Sequence, residues 1–204
     1  MKVIGFSGYS GSGKTTLVEG VIAGLKMAGQ RVSVVKHAHH DFDIDHPGKD
    51  SWRHRQAGAF EVVIASSRRL AKIREFALEV RPTVHQVLAE LSHCDWALVE
   101  GFKHAEFLKI EVWRASLGKP VQYPDDPYIV AIATDSAPLL PQATALPVFN
   151  LNAPDAVVDF LLQSAVRYEY TAPQDWLADA DAARGAGAAA PGRTAAGSRY
   201  SLRR

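Results

Sequence analysis

The sequence has a single cysteine, Cys94, among its 204 residues, so no internal disulfide can form. Its longest stretch without a charged residue, 136–154, contains four prolines and cannot be a membrane-spanning helix. The first residues lack the apolar core and cleavage site of a signal peptide. We therefore expect a cytoplasmic protein that does not enter a membrane.

The chain also lacks a large excess of positive or negative charge, because its net charge is only +1. This balance argues against a broad nucleic-acid surface. Residues 180–204 hold five arginines against one aspartate, a local charge of +4, which leaves −3 for residues 1–179. The basic character belongs to the C-terminal end of the chain.

That C-terminal segment is mostly Ala, Gly, Arg and Ser, without a periodic apolar face. Such a composition buries too little surface to offset the entropy of ordering, so we predict a domain over 1–175 and a disordered tail over 176–204. A tail that binds nucleic acid or a membrane is the less favoured alternative.

The first 36 residues predict a strand, a loop, a helix and a second strand. Lys2–Ser7 is a short apolar run, and Lys14–Met27 carries one apolar stripe at helical spacing. Arg31–Lys36 is rich in β-branched residues and indicates a strand parallel to the first, since crossovers are right-handed. The fold class is therefore α/β with a mostly parallel sheet. Further predicted elements are a helix over 50–57, strands over 61–65 and 70–75, a helix over 82–91, strands over 96–99, 107–113 and 128–133, and a helix over 153–166.

The loop between the first strand and helix matches the phosphate-binding pattern G-x-x-x-x-G-K-[ST] at 8–15. Gly11 and Gly13 allow backbone angles that turn N–H groups towards an anion. Lys14 can reach the β- and γ-phosphates of a nucleoside triphosphate, and the Thr15 hydroxyl can ligate Mg²⁺. With a strand before it and an amphipathic helix after it, the loop predicts triphosphate binding.

Such a loop needs an acidic partner for the metal at the carboxyl end of a neighbouring strand. Glu100 directly follows the apolar run 96–99 and is the best candidate. The alternative is that Glu100 is only the exposed end of a strand. Asp95 begins that strand and is expected at the opposite edge of the sheet.

Five of the eight histidines, with four aspartates between them, fall within residues 37–54. Three interpretations remain open: a zinc site using His37, His39 and His40, an ordinary solvated loop, or a switch-type segment with carboxylates near Mg²⁺ and cations near a second anion. The turn at Pro47–Gly48, followed by Lys49, favours the switch. Arg53 and Arg55 cannot share one helical face, so we expect only one of them to meet a ligand.

Four segments resemble one known family, the adapter proteins called molybdopterin-guanine dinucleotide biosynthesis protein B (MobB). They are GYSGSGKTTL (8–17), KHAHHDFDIDHPGKDSWRHRQAGA (36–59), LVEGFKHAEFLKIEV (98–112) and AIATD (131–135). The second segment is long and idiosyncratic, which makes the resemblance specific, whereas the tail has no counterpart in the family pattern.

The resemblance implies a three-layer α/β/α P-loop NTPase fold, a homodimer, and an adapter that binds GTP with Mg²⁺ and hydrolyses it slowly. The implied partner is MobA, the guanylyltransferase that attaches GMP to molybdopterin, and molybdopterin itself is a possible ligand. By position, the implied nucleotide-binding residues are Ser10, Gly11, Ser12, Gly13, Lys14, Thr15, Thr16, Gly48, Lys49 and Asp135, and the implied Mg²⁺ ligands are Thr15, Glu100 and Asp45.

The sequence by itself does not establish guanine, because it contains no Asn-Lys-x-Asp motif, and Thr134-Asp135 is only a truncated echo of one. A small-molecule P-loop kinase is the alternative function, with Arg68, Arg69 and Arg74 imitating an arginine-rich lid. A metal-storage module is the weakest hypothesis. No catalytic residue is assigned, because nothing obvious in the sequence positions a water or supplies an arginine finger.

Overall fold

The computed structural model describes residues 1–38 and 42–173. The chain divides into two units, Met1–Tyr170 and Thr171–Arg204, and every element below belongs to the first. The predicted tail over 176–204, like His39 and His40 of the zinc hypothesis, lies outside the described residues. Within the described ranges, no helix combines the length and apolarity needed to cross a bilayer.

Eight strands and four helices follow one another in the described residues, with short 3₁₀ turns at 115–117, 137–139 and 165–168. Their bounds are β1 Lys2–Ser7, α1 Lys14–Met27, β2 Val32–Lys36, α2 Asp50–Gln56, β3 Glu61–Ala65, β4 Leu70–Arg74, α3 Val84–Leu88, β5 Trp96–Glu100, β6 Lys109–Trp113, β7 Ile129–Thr134, β8 Val148–Asn150 and α4 Pro154–Gln163.

Six strands form one parallel sheet in the order β2-β5-β1-β6-β7-β8. Its central strands are buried on both faces, which explains why β5 and β7 are continuous apolar runs up to their last residues. In register, Phe6 of β1 lies opposite Glu100 of β5, and Ser7 lies opposite Glu111 of β6. The carboxyl ends of β5, β1 and β6 therefore meet at one edge.

Helices cover both faces of the sheet. On one face, α1 and α4 pack together over a core that includes Ile4, Phe6 and Leu98. On the other face, α3 packs over Val3, Val35, Ala97 and Val99. The predicted α/β class and the three-layer α/β/α arrangement are confirmed.

The strands β3 and β4 form a separate antiparallel pair, joined by a turn in which the Ser66 amide donates to the Arg69 carbonyl at 2.8 Å. This pair (the hairpin, residues 61–74) matches the predicted strands within a residue. Several of its apolar side chains are exposed to solvent. An isolated two-stranded sheet is only marginally stable in water unless its apolar side chains pack against another element.

Two predicted helices are shorter in the structure, and one strand was not predicted. The helix predicted over 82–91 covers only Val84–Leu88, because Thr83 and Gln86 form a capping box and Pro82 lies before the cap instead of in the first turn. The last helix ends at Gln163 and continues as a 3₁₀ turn. Strand β8 was not predicted, because it is three residues long and follows Pro147.

Gly24 of α1 packs closely against α4, so replacing it with alanine should have two opposing effects on stability. A Cβ added at Gly24 would lie 2.6 Å from Val158 Cγ2. Ala favours a helix by about 1 kcal/mol over Gly, but overpacking costs about 1–3 kcal/mol. We predict that Gly24→Ala lowers the melting temperature by about 2–4 °C, measured by thermal denaturation.

The exposed Ala23, one residue earlier on α1, provides the control. Ala23→Gly should cost about 1 kcal/mol and so calibrates the propensity contribution. A higher melting temperature for Gly24→Ala would show that the two helices are not in close contact here.

Candidate functional site

The loop between β1 and α1 is shaped by glycines with positive φ. Gly8, Gly11 and Gly13 have φ of 148°, 82° and 93°. A Cβ at Gly8 would lie 2.3 Å from the Val112 carbonyl oxygen, so this position also requires glycine on steric grounds. Gly13, the N-cap residue of α1, has a left-handed conformation and supplies no side-chain hydrogen bond to the helix start. The first-turn N–H groups of this long helix are therefore available to an anion.

Lys14 lies folded against this loop. Its ammonium donates to the carbonyls of Gly8 at 2.9 Å and Tyr9 at 2.8 Å. Burial lowers the pKa of Lys14, while the nearby Glu100 carboxylate opposes that shift. An anion bound to the loop would give this ammonium a negatively charged partner in direct contact.

Thr15 and Glu100 are joined directly, because the Thr15 hydroxyl donates to Glu100 Oε1 at 2.9 Å. The Glu100 side chain is nearly buried, and Lys36 Nζ lies 3.8 Å from its Oε2 atom. The structure therefore brings together two of the three predicted metal ligands, Thr15 on α1 and Glu100 at the end of β5. A hydroxyl and a carboxylate at this spacing fit Mg²⁺, which takes few protein oxygens and keeps several waters.

Arg114, which follows β6, was not identified from the sequence. Its Nε donates to the Ser12 carbonyl at 3.1 Å, and its Nη1 lies 3.3 Å from Asp135 Oδ2. Asp135 follows β7 and also accepts from the Ser136 hydroxyl at 2.7 Å. Arg114 thus connects the phosphate loop to Asp135. Its position one residue beyond a strand, at the loop's edge of the sheet, was the available signal.

Glu111 is a second residue that sequence analysis missed. Its buried carboxylate accepts from the amides of Gln122 at 2.7 Å and Tyr123 at 2.8 Å, and the Ser7 hydroxyl donates to Gln122 Oε1 at 2.9 Å. Burial raises the pKa of Glu111, and the two amide donors oppose the rise. This network holds the segment after β6 against the strand that leads into the phosphate loop.

The predicted switch segment is organised around Arg55. This guanidinium pairs with Asp43 at 2.9 Å, Asp45 at 3.3 Å and Glu75 at 2.5 Å, and its side chain is only 11% exposed. Arg53 is 71% exposed and lies 3.9 Å from Asp50. The two arginines therefore face different surroundings, as their spacing requires.

Asp45, predicted as a metal ligand, is engaged by protein donors. Its Oδ1 atom accepts from the Ser51 hydroxyl at 2.8 Å and the His46 amide at 2.9 Å. No described contact joins Asp45 to Thr15 or Glu100, so its metal role stays a prediction. Gly48 and Lys49 form an exposed turn, with Gly48 at φ 86°. Over the described ranges, no cluster of three or more His, Cys, Asp or Glu side chains is arranged to hold a metal ion.

Comparison with known proteins bears on this site. Residues 3–135 match the family described as molybdopterin guanine dinucleotide synthesis protein B. The molybdopterin-guanine dinucleotide biosynthesis adapter protein of Escherichia coli is 35% identical over 164 residues, covering 79% of this chain and 91% of that one. The adapter protein of the same name from Haemophilus influenzae is 38% identical over 159 residues, covering 78% and 86%.

A solved structure also resembles this fold. The crystal structure of a MobB protein homolog from Bacillus stearothermophilus superposes with a TM-score of 0.59 at 27% identity, covering 80% of this chain and 97% of that one. The matched family region includes the phosphate loop, the Arg55 network, Glu100, Arg114 and Asp135.

The Arg55 network predicts an acid-sensitive segment. A hydrogen bond from Arg55 lowers the pKa of Asp43; for Asp45, burial raises the pKa but is outweighed by hydrogen bonds from Ser51, His46 and Arg55. Since both folded-state pKa values lie below the unfolded value of about 3.9, the stabilisation is present above that pH and is lost as pH falls through the folded values. We predict that α2 loses hydrogen-exchange protection as the pH falls below about 4, while β5 keeps it.

Arg55→Met should remove most of this protection already at pH 6, because both carboxylates lose their partner. Arg53→Met is the matched control and should behave as wild type. Wild-type protection of α2 in Arg55→Met, after correction for intrinsic exchange rates, would contradict this account.

Proposed function

The chain belongs to the molybdopterin guanine dinucleotide synthesis protein B family, and we propose that it is a GTP-binding adapter in the biosynthesis of molybdopterin guanine dinucleotide. In this proposal it assists the guanylyltransferase MobA in attaching GMP to molybdopterin. The observation that carries nucleotide binding is the contact between Thr15 and Glu100 at 2.9 Å beside an uncapped helix start.

The proposed roles follow from the position of each group. The loop amides of residues 11–16 hold the phosphates, and Lys14 compensates the β- and γ-phosphate charge. Thr15 and Glu100 hold Mg²⁺, which would supply charge neutralisation on the phosphates when bound. The Lys14 ammonium has only to leave two carbonyl oxygens to reach an incoming phosphate.

Guanine selectivity is proposed for Asp135. Its carboxylate lies at the carboxyl end of β7 and is 28% exposed. A carboxylate can accept two hydrogen bonds from the N1–H and N2–H groups of guanine, whereas adenine lacks that donor pair. The ion pair with Arg114 orients the Asp135 carboxylate. The remaining lone pairs of Asp135 can still accept from a base.

Slow hydrolysis is proposed because the arginine that contacts the phosphate loop, Arg114, is already engaged by other groups. The Arg114 guanidinium contacts the Ser12 carbonyl and the Asp135 carboxylate, and so does not act as a free arginine finger. A finger supplied by a partner accelerates GTP hydrolysis by ~10³–10⁵ in known GTPases. An adapter that holds GTP without this group would retain its nucleotide.

The contacts of the hairpin arginines argue against the kinase alternative. Arg74 pairs with Glu61 and Glu90, both at 2.9 Å, and so is tied to structural carboxylates. Arg68 and Arg69 lie in the turn between β3 and β4. These arginines therefore resemble the surface of a hairpin more than a lid that closes over phosphates.

A homodimer formed through the hairpin completes the proposal. Val63, Ile64 and Leu70 on β3 and β4 are 55%, 43% and 69% exposed, and Phe60 and Phe76 flank the hairpin at 62% and 51%. An exposed apolar group of this kind marks a protein–protein contact. Pairing two hairpins would also satisfy their open strand edges. We further propose that the protein acts in the cytoplasm.

Nucleotide binding is tested at Lys14. Lys14→Ala should abolish GTP binding measured by titration calorimetry in the presence of Mg²⁺, because the triphosphate loses its main charge partner. Lys26→Ala, at the far end of the same helix, is the control and should bind as wild type. Retained affinity in Lys14→Ala would refute the loop assignment.

The same titration with ATP tests the base, and it should show weaker binding than GTP. Addition of the protein to purified MobA should increase formation of the dinucleotide. Hydrolysis of GTP by the isolated protein at on the order of ten per second, within the kinase range, would contradict the adapter function.

A further inference from the structure

The phosphate loop carries an aromatic side chain that the nucleotide-binding roles do not use. Tyr9 directly follows Gly8 and is half-buried. Its carbonyl accepts from Lys14 Nζ at 2.8 Å, so Tyr9 lies beside the ammonium that is proposed to reach the terminal phosphates. A ligand bound at Tyr9 would therefore lie close to the phosphate loop.

Two lysines from different loops converge on the Tyr9 ring. Lys103 Nζ, from the loop after β5, lies 5.8 Å from the ring centroid. Lys119 Nζ, from the segment after β6, lies 5.9 Å from it. Both distances are within the range of cation–π attraction. We call Tyr9, Lys103 and Lys119 the tyrosine–lysine cluster.

Buried side chains from the two ends of β6 fix the backbone of both lysines. Lys109, the first residue of β6 and 1% exposed, donates to the Lys103 carbonyl at 2.8 Å, to the Ala105 carbonyl at 3.0 Å and to Asp126 at 2.6 Å. Trp113, the last residue of β6, donates through its indole Nε1 to the Lys119 carbonyl at 2.8 Å. The placement of the two lysine loops is therefore set by the core.

The charge of the cluster is uncompensated in the described part of the chain, where no carboxylate forms an ion pair with Lys103 or Lys119. Lys2, Lys72 and Lys109, by contrast, each pair with an acidic side chain. Both ammonium groups lie over the Tyr9 ring and attract an anion electrostatically. A bound anion would draw them off the ring, whose face could then stack on a planar ligand.

We propose that the tyrosine–lysine cluster binds a planar heterocycle that carries a phosphate monoester, which is the acceptor end of the reaction that this protein assists. This identification of the ligand rests on the proposed function. A dinucleotide made by attaching GMP to a pterin requires a phosphate on the pterin, because that phosphate becomes one half of the pyrophosphate link. The cluster offers lysines to the phosphate and Tyr9 to the ring system.

Neopterin monophosphate is a suitable probe, because it is a fluorescent pterin with one phosphate monoester. Its binding to the full-length protein should be followed by fluorescence anisotropy at two salt concentrations, with neopterin as the phosphate-free comparison. The phosphate ester should bind more tightly than neopterin and more weakly at high salt, since exposed charges are screened. Lys103→Gln/Lys119→Gln should weaken binding of the ester by about tenfold or more.

Lys26→Gln/Arg81→Gln removes the same charge from exposed positions outside the cluster and should leave binding unchanged. Tyr9→Leu should weaken both neopterin and its phosphate ester, because stacking contributes to each. GTP affinity, measured on the same Lys103→Gln/Lys119→Gln protein, should match wild type. That result separates the cluster from the phosphate loop.

Equal binding of the ester by wild type and Lys103→Gln/Lys119→Gln would overturn the proposal, as would stoichiometric displacement of the ester by GTP. A failure of the ester to bind, together with weaker association of Lys103→Gln/Lys119→Gln with MobA, would also overturn it and assign the surface to an acidic protein. If wild type bound the ester through these lysines but did not bind GTP, the proposed function would fail and the cluster would stand.

Discussion

The hydrogen bond between the Thr15 hydroxyl and the Glu100 carboxylate is the contact on which the site depends. It joins the first turn of α1 to the last residue of β5 at 2.9 Å. This contact is possible because β1 and β5 are parallel and in register, with Phe6 opposite Glu100. A buried carboxylate costs free energy unless it has partners, and here the partners are a hydroxyl and Lys36. The register of the sheet thereby brings together the two oxygen-bearing side chains that are proposed to hold Mg²⁺.

Strand β6 supports the surroundings of that pair. From its buried positions, Lys109 and Trp113 hold the carbonyls of two loops, while Glu111 holds the amides of residues 122–123. Arg114, just after the strand, contacts the phosphate loop and Asp135. The loops around the site are therefore held by many contacts to β6, and Arg114 is engaged by the phosphate loop and Asp135. This arrangement suits a protein that holds and presents a nucleotide more than one that turns it over rapidly.

The parts of the fold with local signals were predictable from the sequence. The strand–loop–helix of residues 2–27, Glu100 at the end of an apolar run, and the hairpin all follow from short patterns, and they form as expected. Arg114 and Glu111 were missed because their roles depend on contacts between segments distant in sequence. The start of α3 could have been predicted from the capping-box pattern Thr83-x-x-Gln86. Nothing in the sequence around Asp45 indicates that Arg55 and Ser51 contact it.

The central claim is that Thr15 and Glu100 form a magnesium-dependent nucleotide site, and the most direct measurement is the affinity for GTP with and without Mg²⁺. In wild type, Mg²⁺ should tighten GTP binding. In Glu100→Gln, which keeps the size of the side chain and removes its charge, most of that Mg²⁺ effect should be lost, by about tenfold or more. An equal Mg²⁺ effect in both proteins, or none in wild type, would contradict the account.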